Sequence, residues 1–114
     1  MYKVKFSNEM EIRMGSPYNV ADIHIAGVFV PQLDDYEFQD KYALSSDDTI
    51  CLLIQWSIQQ NEPGFIVWKL SETDQELSKS DRFEGCCDNI GFKNGKVEVF
   101  FSKNGKANVE KIEL

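Results

Sequence analysis

The side chains that could do chemistry in this chain are few. One histidine, His24, stands between Ile23 and Ile25. An imidazole acts as a base or a metal ligand only beside an orienting partner, and a lone one on an apolar strand reads as a satisfied structural residue. The thiols are Cys51 and the adjacent Cys86 and Cys87. A reactive thiol, a metal site shared with Cys51 and a vicinal disulfide are the three chemistries this pattern could support. Adjacent strand residues point to opposite faces, which is poor geometry for ligating one ion. Glu84 and Asp88 would raise a nearby thiol pKa and so quench a nucleophile. The expectation is that one of the pair packs in the core, the other lies near the surface, and all three thiols are reduced. The carboxylate pairs Asp47-Asp48 and Glu84 with Asp88 lack the glycine-containing spacing of a calcium loop. A glycosidase pair would need a sugar cleft that a small domain seldom builds. The chain has no Gly-rich phosphate loop, no G-x-S-x-G elbow and no C-x-x-C pair. The reading is a binding protein, not an enzyme, with no catalytic residue, no metal and no cofactor.

Charge says more. The 114 residues carry 12 Lys plus Arg against 19 Asp plus Glu, a net charge of −7. Such a surface repels phosphate backbones and anionic lipid, so neither nucleic acid nor membrane is an expected partner. No segment approaches the ~20 apolar residues that cross a bilayer, and the amino-terminal residues alternate without a signal-type apolar run. A cytoplasmic protein is expected. The charge is concentrated in Leu33 to Asp48, where Asp34, Asp35, Glu37, Asp40, Asp47 and Asp48 face a single Lys41, a sum of −5. Tyr36, Phe38 and Tyr42 are interleaved with them. This stretch reads as a loop or a short Asp-capped helix, and it is the most polarised surface in the chain.

These residues must be positioned by strands. Thr49 to Ile58 (TICLLIQWSI) predicts a central strand apolar on both faces in its first half. Gln59 to Gly64 reads as a long hairpin loop turning at Pro63-Gly64, followed by a strand over Phe65 to Leu70. After a charged loop, Arg82 to Phe92 reads as one strand interrupted by Gly85 and Gly91. Toward the amino terminus, Tyr2, Val4 and Phe6, then Met10, Ile12 and Met14, predict a hairpin joined through Ser7-Asn8. Gly15 breaks the pattern. Ser16 with Pro17 predicts one helical turn through Ala21. An extended segment then runs from Ile23 to Val30 across a bend at Gly27, closed by Pro31. Asn94-Gly95 and Asn104-Gly105 suit type I′ turns and predict a three-stranded meander whose last strand, Ala107 to Leu114, is a charged edge. The sum is a single all-β, mainly antiparallel domain over residues 1–114, with seven or eight strands and at most one or two short helical turns. A β-sandwich or strongly curled sheet fits best, and a closed barrel second.

The order SSDDTICLLIQW (Ser45 to Trp56), PGFIVW (Pro63 to Trp68) and SDRFEGCCDNIGF (Ser80 to Phe92) resembles a pattern in small bacterial β proteins. There an S-x-D-x-x-x-x-L-x-x-x-W strand precedes a P-G-F strand and a G-C-C segment, laid out like a propeller blade standing alone. Ser46-Asp47-Asp48 replaces the Pro-Asp-Gly turn of that pattern. Many such proteins are immunity proteins of polymorphic or contact-dependent growth inhibition toxin systems. The resemblance implies a protein that is monomeric when free and forms a 1:1 complex with a cognate toxin domain, neutralising it in the cytoplasm. A basic nuclease is the expected partner, because carboxylates can stand where its cations hold phosphate. The expected contact residues are Asp34, Asp35, Tyr36, Glu37, Asp40, Asp47 and Asp48, with Glu84 and Asp88 as a second patch. The alternative is a small-molecule or lipid-binding β-barrel.

Overall fold

The computed structural model describes residues 1–13 and 16–114. Among them are ten strands and no helix. They are β1 (Lys3–Glu11), β2 (Asn19–Ala26), β3 (Phe38–Leu44), β4 (Ile50–Trp56), β5 (Gly64–Ser71), β6 (Glu76–Lys79), β7 (Phe83–Glu84), β8 (Cys86–Lys93), β9 (Lys96–Lys103) and β10 (Lys106–Ile112). The first six pair in chain order as an antiparallel meander, and β7 continues the edge along β5. The last three form a separate sheet in the order β10-β9-β8. The all-β, sandwich-like reading holds, and among the described residues the sheets do not close into a barrel.

β4 is the spine. Leu52 and Ile54 face the small sheet, packing with Phe65 and Val67 against Cys87, Ile90, Val97, Val99 and Phe101. Cys51 and Leu53 face the other way, with Trp68 and Leu70, beneath Tyr2, Phe38, Val4, Ile23 and Ile25. The meander therefore curls until β1 and β2 lie over its own centre. Because β4 is buried on both faces, its apolar residues run without interruption instead of alternating.

Several elements differ from the sequence reading. Ser7-Asn8 is not a turn: Asn8, at φ 53°, marks a bulge, and β1 runs on through it to Glu11. Asn tolerates that conformation in a bulge as readily as in a turn. Of the second arm expected there, Met14 lies outside the described residues, as does the break at Gly15. No helical turn begins at Ser16; its hydroxyl accepts the Tyr18 N–H at 3.1 Å, and β2 starts at Asn19. Val28 to Val30 leave the sheet instead of extending β2. The β4–β5 hairpin turns at Gln60-Asn61, with φ of 50° and 62°, while Gly64 already belongs to β5. Part of the charged loop, Glu76 to Lys79, is strand β6, a polar edge held by pairing with Trp68 to Ser71. The Ser45 to Phe92 stretch is not a free-standing blade, since it crosses from one sheet to the other at Gly85. The two Asn-Gly turns form as expected, with φ of 52° and 76° at Asn94-Gly95 and 52° and 74° at Asn104-Gly105.

Candidate functional site

The acidic stretch is cut in two by β3. Phe38 and Gln39 enter the interior, Leu44 joins the core under β1 and β2, and about 20 Å of strand separates the two acidic ends. The loop-or-helix reading failed because carboxylates are poor strand formers in isolation, while burial of Phe38 and pairing with β4 outweigh propensity.

At the first end, the connection from Gly27 to Glu37 is pinned at several points. Glu72 Oε1 accepts the Val28 N–H at 2.9 Å, and the Tyr2 hydroxyl donates to the Phe29 carbonyl at 2.6 Å. Tyr36 N–H donates to Leu33 O at 3.2 Å, and Trp56 N–H to Glu37 O at 2.8 Å. Tyr36, 39 % exposed, stands edge-on to buried Trp68 with ring centroids 4.9 Å apart, and at 6.4 Å from Phe38. The ammonium of Lys79 lies 4.0 Å from the Trp68 ring centroid and 4.7 Å from that of Tyr36. Asp34, Asp35 and Glu37, its neighbours in the chain, are exposed. None of the three is in an ion pair among the described residues; Asp35 accepts only the Gln32 side-chain amide, at 3.3 Å. The site is an exposed aromatic ring fixed from below by Trp68 and Phe38, next in the chain to carboxylates that are in no ion pair among the described residues.

The remaining expected contacts are elsewhere or otherwise occupied. Asp40, half-buried in β3, accepts the Asn19 amide at 3.0 Å. Asp47 and Asp48 form the β3–β4 turn at the far end. Asp47 Oδ1 accepts the Thr49 hydroxyl at 2.7 Å, the Ser45 hydroxyl at 2.8 Å and the Thr49 N–H at 3.2 Å, and these bonds hold its carboxyl below the usual range. Asp48 is at φ 59°, and its carbonyl receives the Tyr2 N–H at 2.7 Å. In the second patch, Glu84 is 2.8 Å from Lys103 Nζ, which lowers its pKa. Asp88 accepts the Tyr18 and Ser102 hydroxyls, each at 2.6 Å. Of the nine expected contact residues, Asp34, Asp35, Tyr36 and Glu37 form one group.

Residues that sequence reasoning missed complete the surroundings of that group. Trp68 and Lys79 arrive from β5 and β6, more than thirty positions from Tyr36 in the chain, and no local signal joins them. Asp22 was legible as an exposed alternate of the Ala21, Ile23, Ile25 face, but not as a neighbour of Asp34.

The other candidate chemistry is quiet. His24 is exposed and shares a 2.7 Å hydrogen bond with the Ser7 hydroxyl. Cys87 is buried in the core between the sheets and Cys86 is half-buried, as expected. Cys51 belongs to the core on the opposite face of the large sheet, so it does not join the pair as a metal ligand. Burial pushes the Cys51 and Cys87 thiols up to about 12, and burial followed by Asp88 raises Cys86. Thiolate chemistry is disfavoured at all three.

Two larger clefts, of about 680 and 730 Å³, lie away from the acidic loop, and Arg82, Glu84 and Lys103 line both. Their walls mix cations with anions. Among the protein families, the curated proteins and the solved structures with which this chain was compared, none matches it.

Proposed function

We propose that this chain is an immunity-type inhibitor that binds a basic toxin domain, a nuclease by preference, in the cytoplasm of the cell that makes it. The observation that carries the proposal is the Tyr36 surface. A ring held against Trp68 and Phe38 costs little side-chain entropy on binding, and anchors of this kind dominate interface energetics. The carboxylates of Asp34, Asp35 and Glu37, in no ion pair among the described residues, can meet lysines and arginines that would otherwise hold phosphate. A net charge of −7 supports steering of a basic partner, raising on-rates toward about 10⁸–10⁹ M⁻¹s⁻¹ at low salt. Speed matters against an enzyme that kills while free. The barrel-type ligand binder has less support, because the space between the sheets is filled by Ile54, Phe65, Val67, Ile90 and Val99.

The test is capture from the native lysate with this protein as bait, washed from about 50 to 500 mM salt, where the Debye length falls from ~14 to ~4 Å. The captured fragment is then assayed for toxicity with and without the bait. The proposal expects a basic fragment in 1:1 ratio whose activity the bait suppresses. Reversing Asp34, Asp35 and Glu37 to lysine should cut on-rate and protection about tenfold or more while leaving the melting temperature nearly unchanged. Full protection by that variant would remove the acidic loop from the contact. A captured fragment without toxicity would end the immunity reading.

A further inference from the structure

Beside the acidic loop the surface holds a recess of about 270 Å³. Ala21, Ile23, Leu33 and Phe38 contribute apolar wall, and exposed Asp22, His24, Asp34 and Tyr36 complete its lining. We propose that this recess receives one arginine side chain of the partner protein, its methylene stem on the apolar wall and its guanidinium at Asp22 and Asp34 beside the Tyr36 ring. The inference rests on the reading of this loop as the contact with a basic protein and makes it specific.

Size is the first argument. Sites for drug-sized molecules span roughly 300–1,000 Å³, so a recess just below that range suits a single side chain. Chemistry is the second. Arginine lays an apolar stem along apolar surface while its head stays polar, and its planar fork both pairs with carboxylates and stacks on rings, which a lysine ammonium does less well. The charges required are available: Asp34 is in no ion pair among the described residues, and Asp22 accepts only the neutral Asn8 amide, at 2.7 Å. The third argument is an internal precedent. The Tyr36–Trp68 ring pair already holds one cation, Lys79, at 4.7 Å from the Tyr36 centroid and 4.0 Å from that of Trp68. A protein source is favoured over free arginine because the exposed Tyr36 ring and the carboxylates of Asp35 and Glu37 extend the acidic, aromatic surface beyond a recess that one side chain fills.

Nuclear magnetic resonance titration of the ¹⁵N-labelled protein tests this, with N-acetyl-arginine amide as probe and the uncharged citrulline analogue as control. The arginine probe should give saturable shift changes centred on residues 21–24 and 33–38, with affinity about fivefold or more above the control. Asp22→Asn and Asp34→Asn should each weaken it with the remaining spectrum unchanged, and Lys79→Met, which removes a like charge, should tighten it about twofold. Equal response to both probes, changes centred elsewhere, or no saturable response would overturn the proposal. The two readings fail separately. A captured toxin whose binding ignores Asp22→Asn and Asp34→Asn removes the arginine recess and leaves the inhibitor. An arginine-selective recess in a protein that captures no toxin does the reverse.

Discussion

Gly85 stands where the chain leaves β7 in one sheet and enters β8 in the other. It holds φ at 101°, and a Cβ there would strike the carbonyl oxygen of Ser102 on β9. Both features select glycine: the conformation is strained for any L side chain, and the obstacle is backbone. Gly85→Ala should therefore cost about 2–4 kcal/mol, read as a lower urea midpoint. A cost below about 0.5 kcal/mol would mean that the crossover can relax. The consequence reaches the core, because the crossover brings Phe83 to stack on Phe65 at 4.9 Å and to meet Phe101 edge-on at 5.2 Å. Tyr36 illustrates the opposite case. Its type and position suggested a contact residue, yet what fixes its ring is Trp68, supplied by a strand remote in the chain.

Among the elements, β4 and β10 mark the two extremes of burial. Leu53 is fully enclosed in β4, whereas Val109 in β10 is 57 % exposed on the outer face of the small sheet. Leu53→Ala should destabilise by about 2–5 kcal/mol through lost transfer energy and a residual cavity, while Val109→Thr should stay within about 0.5 kcal/mol. Denaturant melts of the two variants measure the contrast, and similar losses would show that β10 is buried in solution by something else. Both strands were legible because hydrophobic pattern and turn chemistry agreed there. Where the pattern was polar, as in β3 and β6, pairing and burial of a few residues overrode it. Aspartates mask β3 and a Glu-Leu-Ser-Lys edge reads as loop, so these elements were missed.

For the molecule as a whole, acidity is the condition that sequence charge and structure jointly decide. Glu72, its side chain 7 % exposed, is 2.8 Å from the Met1 amino group and accepts the Val28 N–H at 2.9 Å. These contacts, the amino group first, hold its carboxyl below the ordinary range. Asp47 and Glu84 are lowered too, by hydroxyl bonds and by Lys103. A carboxyl that is lowered in the folded state contributes stability that is complete above its unfolded value, about 4. That contribution is lost as pH falls through the lower folded value. Glu72→Gln should therefore melt below wild type at pH 7, and the gap should narrow as pH falls below about 4 and through the lower folded value, where Glu72 itself is protonated. Circular dichroism melts across that range decide it, and a pH-independent gap would show that the Glu72 contacts do not act through charge.

Composition and pattern by themselves determined the class. Five apolar residues in a row at Ile50 to Ile54 could only be a doubly covered strand once the neighbouring turns were in place, and the two Asn-Gly dipeptides set the carboxy-terminal meander, because only a few residues accept the backbone they need. Tertiary structure alone decided which charges act together. β3 moved Asp47 and Asp48 about 20 Å of strand away from Asp34, while the curl of the sheet carried β2 across and brought Asp22 beside it. The physical reason is range: backbone preferences act over a few residues and can be read locally, whereas the burial that bends the sheet and groups its carboxylates is a property of the folded core.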